Sequence, residues 1–385
     1  MTRIGIIGTG AIAAVHLDAY RQFPERSEVV AVCDKFTDKA QSFVEQHSLS
    51  ATVFSDYRKM LSAPGIDAVS ICLPPNLHAQ ATIDALDSGK HVLVEKPMAS
   101  SLEECDRMIE AAQRNGKLLS VVCQNRFKTP VAKVKRMIDS GAIGDVLLAT
   151  FNSLWWRGEM YYDLWWRGTW EQESGGCFLN HSVHHVDLMH MLFGVPETVR
   201  GFITNLAHDN SQCEDLGFAL FDYGNMIVNF TSSLVSHGEK QTISIQGKNG
   251  SLEIPWSVEA FKPLPNGFPE QDREAITRLQ ALYDSIPELP YEGHPAQIRN
   301  FLCAIGGEEP LAIDGGEGRN TLELIIAVYK SSVLGKPVTL PILKDDPFYR
   351  KESMLSCMPH FHEKKRSIEN FDPSAGISLG RDMGT

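Results

Sequence analysis

Arg3-Ile4-Gly5-Ile6-Ile7-Gly8-Thr9-Gly10-Ala11-Ile12-Ala13 decides the architecture of the first third of this chain. The apolar run stops at Gly8, and a helical pattern follows through Tyr20. Between a strand and a helix, G-x-G-x-x-A has a mechanical meaning. Gly8 permits the tight turn, Gly10 lets a pyrophosphate approach the backbone, and Ala13 allows the helix to pack closely on the sheet. The N–H groups and dipole at the helix start then suit the phosphates. Gly8, Thr9, Gly10, Ala11 and Ile12 are therefore expected to bind a dinucleotide. The next run, Val29–Cys33, ends at Asp34. That is about 26 residues beyond Gly8, near the spacing of the acid that binds the adenine ribose diol. A carboxylate there repels a 2′-phosphate and favours NAD. Lys35 is the cation that would accommodate that phosphate and keeps NADP as the alternative. Asp34 acting only as a helix N-cap is the simpler reading.

Working outward, the spacing predicts a helix over 37–46, a short strand at Thr52–Phe54 and another helix. Asp67–Leu73 is again a buried-strand pattern, and Pro74-Pro75-Asn76-Leu77-His78 ends it. Leu73, Pro74, Asn76 and His78 are expected over the nicotinamide half of the cofactor. His91–Val94 runs into Glu95-Lys96-Pro97, where Pro97 disfavours helix at Lys96 and stops the strand. In an open parallel sheet that stop lies at the carboxyl edge, where ligands bind. Glu95, Lys96 and, after the strand 118–122, Asn125 join the expected cofactor set, with Arg126 in the substrate wall. Strands alternating with helices predict an α/β, doubly wound parallel sheet.

After Pro130 a helix to about Ser140 makes a transition, and the texture changes. Strand patterns at 146–155, 197–206, 215–222, 225–235 and 241–254, joined by turns such as Lys248-Asn249-Gly250, predict an α+β domain with a large open, mostly antiparallel sheet. Helices are expected near 180–193, 294–305 and 318–334. Residues 256–292 read as a surface excursion with few regular elements. The expected division is a dinucleotide domain over 1–123, a substrate and oligomerisation domain over 124–345, and a polar extension over 346–385 that is either an arm on a partner subunit or loose.

The 385 residues are 43% hydrophobic and 22% charged with a formal charge of −12, which argues against nucleic acid or an anionic membrane as partner. Eight cysteines without a C-x-x-C pair read as reduced thiols. With no signal peptide before the first strand, a cytoplasmic location is expected.

Asn180, His184 and Asp187 share one face if the segment is a single helix, which carries His184 into an interdomain cleft. His184 as a purely structural, hydrogen-bonded residue is the plainer alternative. His181, His184 and His185 at i, i+3 and i+4 lack the carboxylate of a zinc-hydrolase helix, so no metal is expected. Leu154-Trp155-Trp156-Arg157-Gly158 is repeated as Leu164-Trp165-Trp166-Arg167-Gly168, with Tyr161, Tyr162 and Trp170 nearby. Five of the six tryptophans fall here, so the clustering is local. Such rings and guanidinium groups suit a sugar, and equally an oligomer interface. Trp155, Tyr161, Trp165, Trp166, Arg167, Asn180, His181 and His184 are the remaining expected substrate contacts.

Gly8–Ala13, Pro75-Asn76-Leu77-His78, Glu95-Lys96-Pro97, Asn125-Arg126-Phe127 and Gly175-Gly176…His184-x-x-Asp187, in that order, resemble the glucose–fructose oxidoreductase, inositol dehydrogenase and MocA family over about residues 3–345. The resemblance implies a Rossmann domain plus an open-sheet domain, NAD(P) across the cleft, hydride transfer at a hydroxyl-bearing carbon of a sugar or polyol, and a homodimer or homotetramer formed through the C-terminal sheet. It also implies that Lys96 is the catalytic lysine and His184 the catalytic histidine. The family often has aspartate where Asn180 stands, and an amide cannot accept a proton as base. Proton transfer then falls on His184, with Lys96 assisting and Asn180 holding a substrate hydroxyl. The Trp-Arg-Gly-Thr-Trp lead-in is most similar to members that oxidise the C3 hydroxyl of glucosides or nucleotide sugars. The competing readings are an NADP(H)-dependent reductase of a keto sugar and a dinucleotide sensor without turnover.

Overall fold

The computed structural model describes residues 1–369 and 371. The chain begins with β1 (Thr2–Ile7), α1 (Ala11–Tyr20), β2 (Ser27–Cys33), α2 (Thr37–Gln46), β3 (Thr52–Phe54), α3 (Tyr57–Ser62), β4 (Ala68–Ile71), α4 (His78–Asp87), β5 (His91–Val94), α5 (Leu102–Asn115) and β6 (Leu119–Val121). All six strands are parallel, in the order β3-β2-β1-β4-β5-β6. The order reverses beside β1, so a crevice opens at the carboxyl ends of β1 and β4. The β4 and β5 runs are buried on both faces, as helix-covered parallel strands must be. Ser101 caps α5 by accepting from the Glu104 N–H, and the Glu104 carboxylate accepts from the Ser100 N–H. This reciprocal cap fixes the loop that follows Lys96.

The second half contains α6 (Thr129–Asp139), β7 (Val146–Leu154), α7 (Cys177–Asn180), α8 (Val183–Phe193), β8 (Thr198–Thr204), β9 (Leu216–Asp222), β10 (Ile227–Ser233), β11 (Gln241–Gly247), β12 (Gly250–Ile254) and β13 (Ser257–Glu259). Then come a small hairpin, β14 (Phe261–Pro263) with β15 (Pro269–Gln271), and α9 (Arg273–Ser285), α10 (Gly293–Ile305), α11 (Gly315–Leu334), β16 (Val338–Thr339) and α12 (Lys351–Cys357). Eight strands form one sheet, β13-β12-β11-β7-β10-β9-β8-β16. Its pairings are antiparallel except β7 with β10. One face lies against α8 and α11. The other leaves Leu148, Phe202, Phe218, Leu220 and Ile227 exposed.

Three expectations need correction. The segment 256–292 is structured, because β13 extends the sheet and the Asp272 side chain caps α9. The helix expected over 180–193 is two helices, broken at His181–Ser182, where the Ser182 hydroxyl is held 2.5 Å from that of Ser232 on β10. The extension is not loose over 359–368, which lies along residues 162–170 of its own chain. Residues 370 and 372–385 of the extension fall outside the described residues. The late helices also return to the first sheet: Ile298, Phe301 and Leu302 of α10 share a core with Ile4, Tyr20 and Phe23.

Candidate active site

Lys96 stands just beyond β5, its backbone N–H donating to the Glu95 carboxylate at 3.2 Å. Its ammonium donates to the backbone carbonyl of Asn180 at 3.0 Å, so a residue of the first sheet touches the end of α7. Two further bonds cross the same gap. The Asn76 amide donates to Gln172 at 2.8 Å, and the Ser174 hydroxyl donates to that of Ser100 at 2.7 Å. Ser174 is held at φ +69°, a left-handed conformation uncommon for serine. Lys96, Asn180 and His184 are each half-buried among buried neighbours, which leaves each an open side.

The two glycines before α7 are there for close approach. A Cβ on Gly176 would lie 1.9 Å from the Glu214 carbonyl oxygen, and one on Gly175 2.4 Å from the Tyr329 hydroxyl. The buried Glu214 carboxylate accepts from the N–H groups of Gly176 (3.0 Å) and Phe178 (3.1 Å) and from the Tyr329 hydroxyl (2.8 Å). Burial nevertheless pushes its carboxyl up to about 7. The Asn180 side chain donates to the Gly175 carbonyl at 2.9 Å, closing the turn on itself.

Burial drives the Lys96 amine below its ordinary pKa, a shift that Glu95 opposes and Arg167 reinforces. Burial, followed by the charge of Lys96, drives His184 well below its ordinary value, so the imidazole is neutral and able to accept a proton near neutral pH. Glu95 does not face the cleft as expected. Its carboxylate is buried against His16 Nε2 at 2.9 Å. Burial would raise this carboxyl, but the His16 hydrogen bond and the charges of His16, His294 and Lys96 outweigh burial and bring it to about 2. His16, Glu95 and His294 offer three ligand-type atoms within 4.8 Å of one another. The short His16–Glu95 contact is that of a hydrogen-bonded pair.

Other expected contacts are also redirected. The His78 ring is buried, with Nδ1 2.7 Å from the Pro97 carbonyl and Nε2 2.7 Å from that of Leu73. It ties the loops after β4 and β5 together from beneath. Arg126, expected in the substrate wall, gives its guanidinium to Asp187 (2.8 and 2.7 Å) and Glu317 (2.7 Å). Asp187 therefore supports α8 and is not shared with His184. Lys35 points at the rings of Phe36 and Trp165 (4.7 and 5.2 Å), which puts Trp165 against the first domain and away from the other aromatic residues.

Those others do assemble. The Arg167 guanidinium stacks on Tyr161 at 4.0 Å and on Trp166 at 4.1 Å, and it pairs with buried Glu173 at 2.9 Å. Arg157 lies over Trp155 and Tyr161 (5.4 and 5.7 Å). The Tyr161 hydroxyl is 3.3 Å from His181 Nε2, while His181 Nδ1 is buried without a partner. Glu173, Gln172 and Glu214 escaped the sequence reading, and Arg157 was read in the repeat but not placed among the expected contacts. The repeated Trp-Trp-Arg-Gly was a usable signal for Arg157, whereas isolated acids carry none.

The residues present fit a dinucleotide. Gly8 has φ +93°, and a Cβ there would meet the Cys72 carbonyl at 2.4 Å, whereas a Cβ on Gly10 would meet nothing within 4 Å. No side chain caps α1, which leaves its first N–H groups, near Ala11 and Ile12, for phosphate. Asp34 accepts from the Thr9 N–H and hydroxyl (3.0 and 2.8 Å) at the end of β2. At the ends of β4 and β6, Asn76 Oδ1, Gln124 Oε1 and Asn125 Oδ1 are buried without partners. Such orphaned atoms suit an amide-bearing ligand.

Fold and site together define an NAD-binding oxidoreductase. Residues 2–123 match the "Oxidoreductase family, NAD-binding Rossmann fold" and residues 135–340 its "C-terminal alpha/beta domain". The chain belongs to the glucose–fructose oxidoreductase, inositol dehydrogenase and MocA family. It is 30% identical to D-glucoside 3-dehydrogenase of Escherichia coli over 88% of this chain and 97% of that one. It is 30% identical to inositol 2-dehydrogenase of Salmonella typhimurium over 49% and 54%. Among solved structures, the WlbA dehydrogenase from Bordetella pertussis, in complex with NADH and UDP-GlcNAcA, superposes with a TM-score of 0.77 at 30% identity, covering 89% of this chain and 98% of that one. Among the described residues, no helix is long and apolar enough to cross a membrane.

Proposed function

We propose that this chain oxidises a secondary ring hydroxyl of a sugar, glycoside or polyol, the C3 hydroxyl where the substrate is a glucoside or nucleotide sugar, with NAD as hydride acceptor. The observation that carries this reading is the 3.0 Å bond from the Lys96 ammonium to the Asn180 carbonyl. It brings the amine at the end of β5 to the elbow from which α8 carries His184. NAD, held by Gly8–Ile12 and Asp34, would supply the hydride acceptor for the carbinol carbon. His184, neutral in its buried setting, takes the hydroxyl proton. Lys96 donates a hydrogen bond to the oxygen as negative charge develops on it. Asn180 has its amide N–H on Gly175, which leaves Oδ1 to accept from a neighbouring hydroxyl of the substrate. The rings of Trp155, Tyr161 and Trp166, with Arg157, Arg167 and His181, form the wall against which the sugar lies.

The names of the similar proteins support the substrate class: a glucoside 3-dehydrogenase, an inositol 2-dehydrogenase, and a dehydrogenase in complex with a nucleotide sugar. The homo-oligomer expected from the resemblance would form on the exposed apolar face of the eight-stranded sheet. The test is a panel of glycosides, nucleotide sugars and polyols, each assayed for NAD reduction and, as the ketone, for NADH and NADPH oxidation. The expected result is NAD reduction by at least one glycoside or polyol. Tight NAD binding with no turnover across the panel would refute the proposal and favour a sensor. Turnover confined to ketone and NADPH would favour a reductase.

A further inference from the structure

The tryptophan-rich segment is gripped from two sides. On its outer side the C-terminal arm runs alongside it. The Ile368 N–H donates to the Asp163 carbonyl at 2.7 Å, and the Trp165 N–H donates to the Ile368 carbonyl at 2.9 Å. The Trp170 indole donates to the Pro359 carbonyl at 2.8 Å. Buried Asn210 holds both strands at once. Its Oδ1 accepts from the N–H groups of Lys365 (2.7 Å) and Arg366 (2.9 Å), while its amide donates to the Tyr162 carbonyl (3.1 Å) and Asp163 carboxylate (2.9 Å). Arg366 adds ion pairs with Asp163 (3.1 Å) and Asp209 (3.3 Å). Both matched family domains end before the arm, the second at residue 340.

On its inner side the same segment reaches the dinucleotide domain. The Trp165 ring stands 5.2 Å from the Lys35 ammonium, next to Asp34, the acid at the end of β2 where the adenine ribose sits in this fold. Gln172 closes the other end by accepting from Asn76 beyond β4. Residues 165–172 therefore bridge the cleft from the adenosine side to the nicotinamide side.

We propose that residues 359–368 are a strap that seats Trp165 over the adenosine half of the bound dinucleotide, so that dinucleotide release requires the strap and the ring to lift. Trp165 is then a cofactor-positioning residue supplied by the second domain, and Ile368 and Arg366 act through it. The physical logic is that of a cross-strand clip. A 2.7 Å and a 2.9 Å backbone bond hold the short stretch that includes Trp165, and losing either frees the ring to swing into solvent. The proposal concerns dinucleotide release alone, so a chain that oxidises no sugar would leave it standing.

The experiment follows bound NADH fluorescence after mixing with excess NAD, in the full-length chain. W165A is expected to release NADH about tenfold faster, as is I368P, which deletes the Ile368 N–H donor. R366A, altering only an exposed guanidinium, is expected to speed release by roughly twofold to fourfold and serves as the second strap variant should I368P fail to fold. The double variant W165A/R366A should release no faster than W165A alone, because both act on one ring. A W165A rate within twofold of the wild type overturns the proposal. So does wild-type release from R366A, or release from W165A/R366A that is faster by the product of the two single effects.

Discussion

Replacing Lys96 by methionine keeps a similar length of side chain and removes the charge. Two opposing terms set its effect on stability. The variant loses a charge-assisted hydrogen bond to the Asn180 carbonyl, about 1.5–3 kcal/mol. It also relieves the burial of an amine whose lowered pKa shows that its charged form is disfavoured there. The net is about 1 kcal/mol in either direction, a change of a few degrees at most in Tm. Turnover has no such compensation. Donors aimed at a developing oxyanion are worth about 10²- to 10³-fold in kcat, or about 2.7–4 kcal/mol. The pH profile adds an independent readout. His184 must be neutral to accept the proton, so kcat/KM rises with pH through the His184 pKa. The charge of Lys96 helps push that pKa down, so in K96M the rising limb moves to higher pH. The assay is steady-state NAD reduction across pH, beside NAD titration by fluorescence quenching, with NAD affinity expected to change little. A folded K96M with kcat within tenfold of the wild type refutes the assignment. A rising limb that stays in place refutes the neighbourhood of Lys96 and His184.

Glu214 predicts a pH-dependent stability with a definite sign. Its folded pKa of about 7 lies above the ordinary 4.5, so its contribution is complete below pH 4.5 and is lost as pH rises to 7, by a few kcal/mol. Urea unfolding across that window should show this decline in the wild type, whereas E214Q should be flatter, and an identical slope in both would exclude Glu214 as its source. G176A drives a methyl group to 1.9 Å from the Glu214 carbonyl oxygen and should cost roughly 3 kcal/mol or more by thermal melting; an unchanged Tm would mean that the turn accommodates a Cβ. Phe202 and Phe218 are exposed side by side on the eight-stranded sheet, and F202E/F218E should lower the mass measured by light scattering, whereas unchanged mass would place any self-association elsewhere.

The parallel sheet was legible because its signals are local and redundant. β1, β2, β4 and β5 are short apolar runs, each stopped within a few residues by a glycine, proline or acid. The longer strands of the second sheet were found from their alternation and their turns, whereas the three-residue strands β13, β14 and β15 are too short to show either. Legibility failed where one residue answers to a partner far along the chain. Nothing near Arg126 announces Asp187 and Glu317, or that Glu95 turns inward to His16. The break at His181–Ser182 is invisible to helical periodicity, because a hydroxyl on β10 pins it. Trp165 and Trp166 are neighbours of one type in a repeated motif, yet one faces Lys35 and the other stacks on Arg167.

That difference between near and far signals explains how the candidate site is built. Lys96 and His184 come from segments whose local patterns are readable, but their meeting depends on contacts that are not: Lys96 to Asn180, Ser100 to Ser174 and Asn76 to Gln172. All three join a loop at the carboxyl edge of the first sheet to the stretch between the tryptophans and α8. Beneath them α11 touches both halves, and a Cβ on its Gly318 would lie 2.5 Å from Val121 at the end of β6. The domains therefore share one closely packed seam under the cleft. A lysine and a histidine held across such a seam are positioned when the chain folds, so little further ordering is needed when substrate binds.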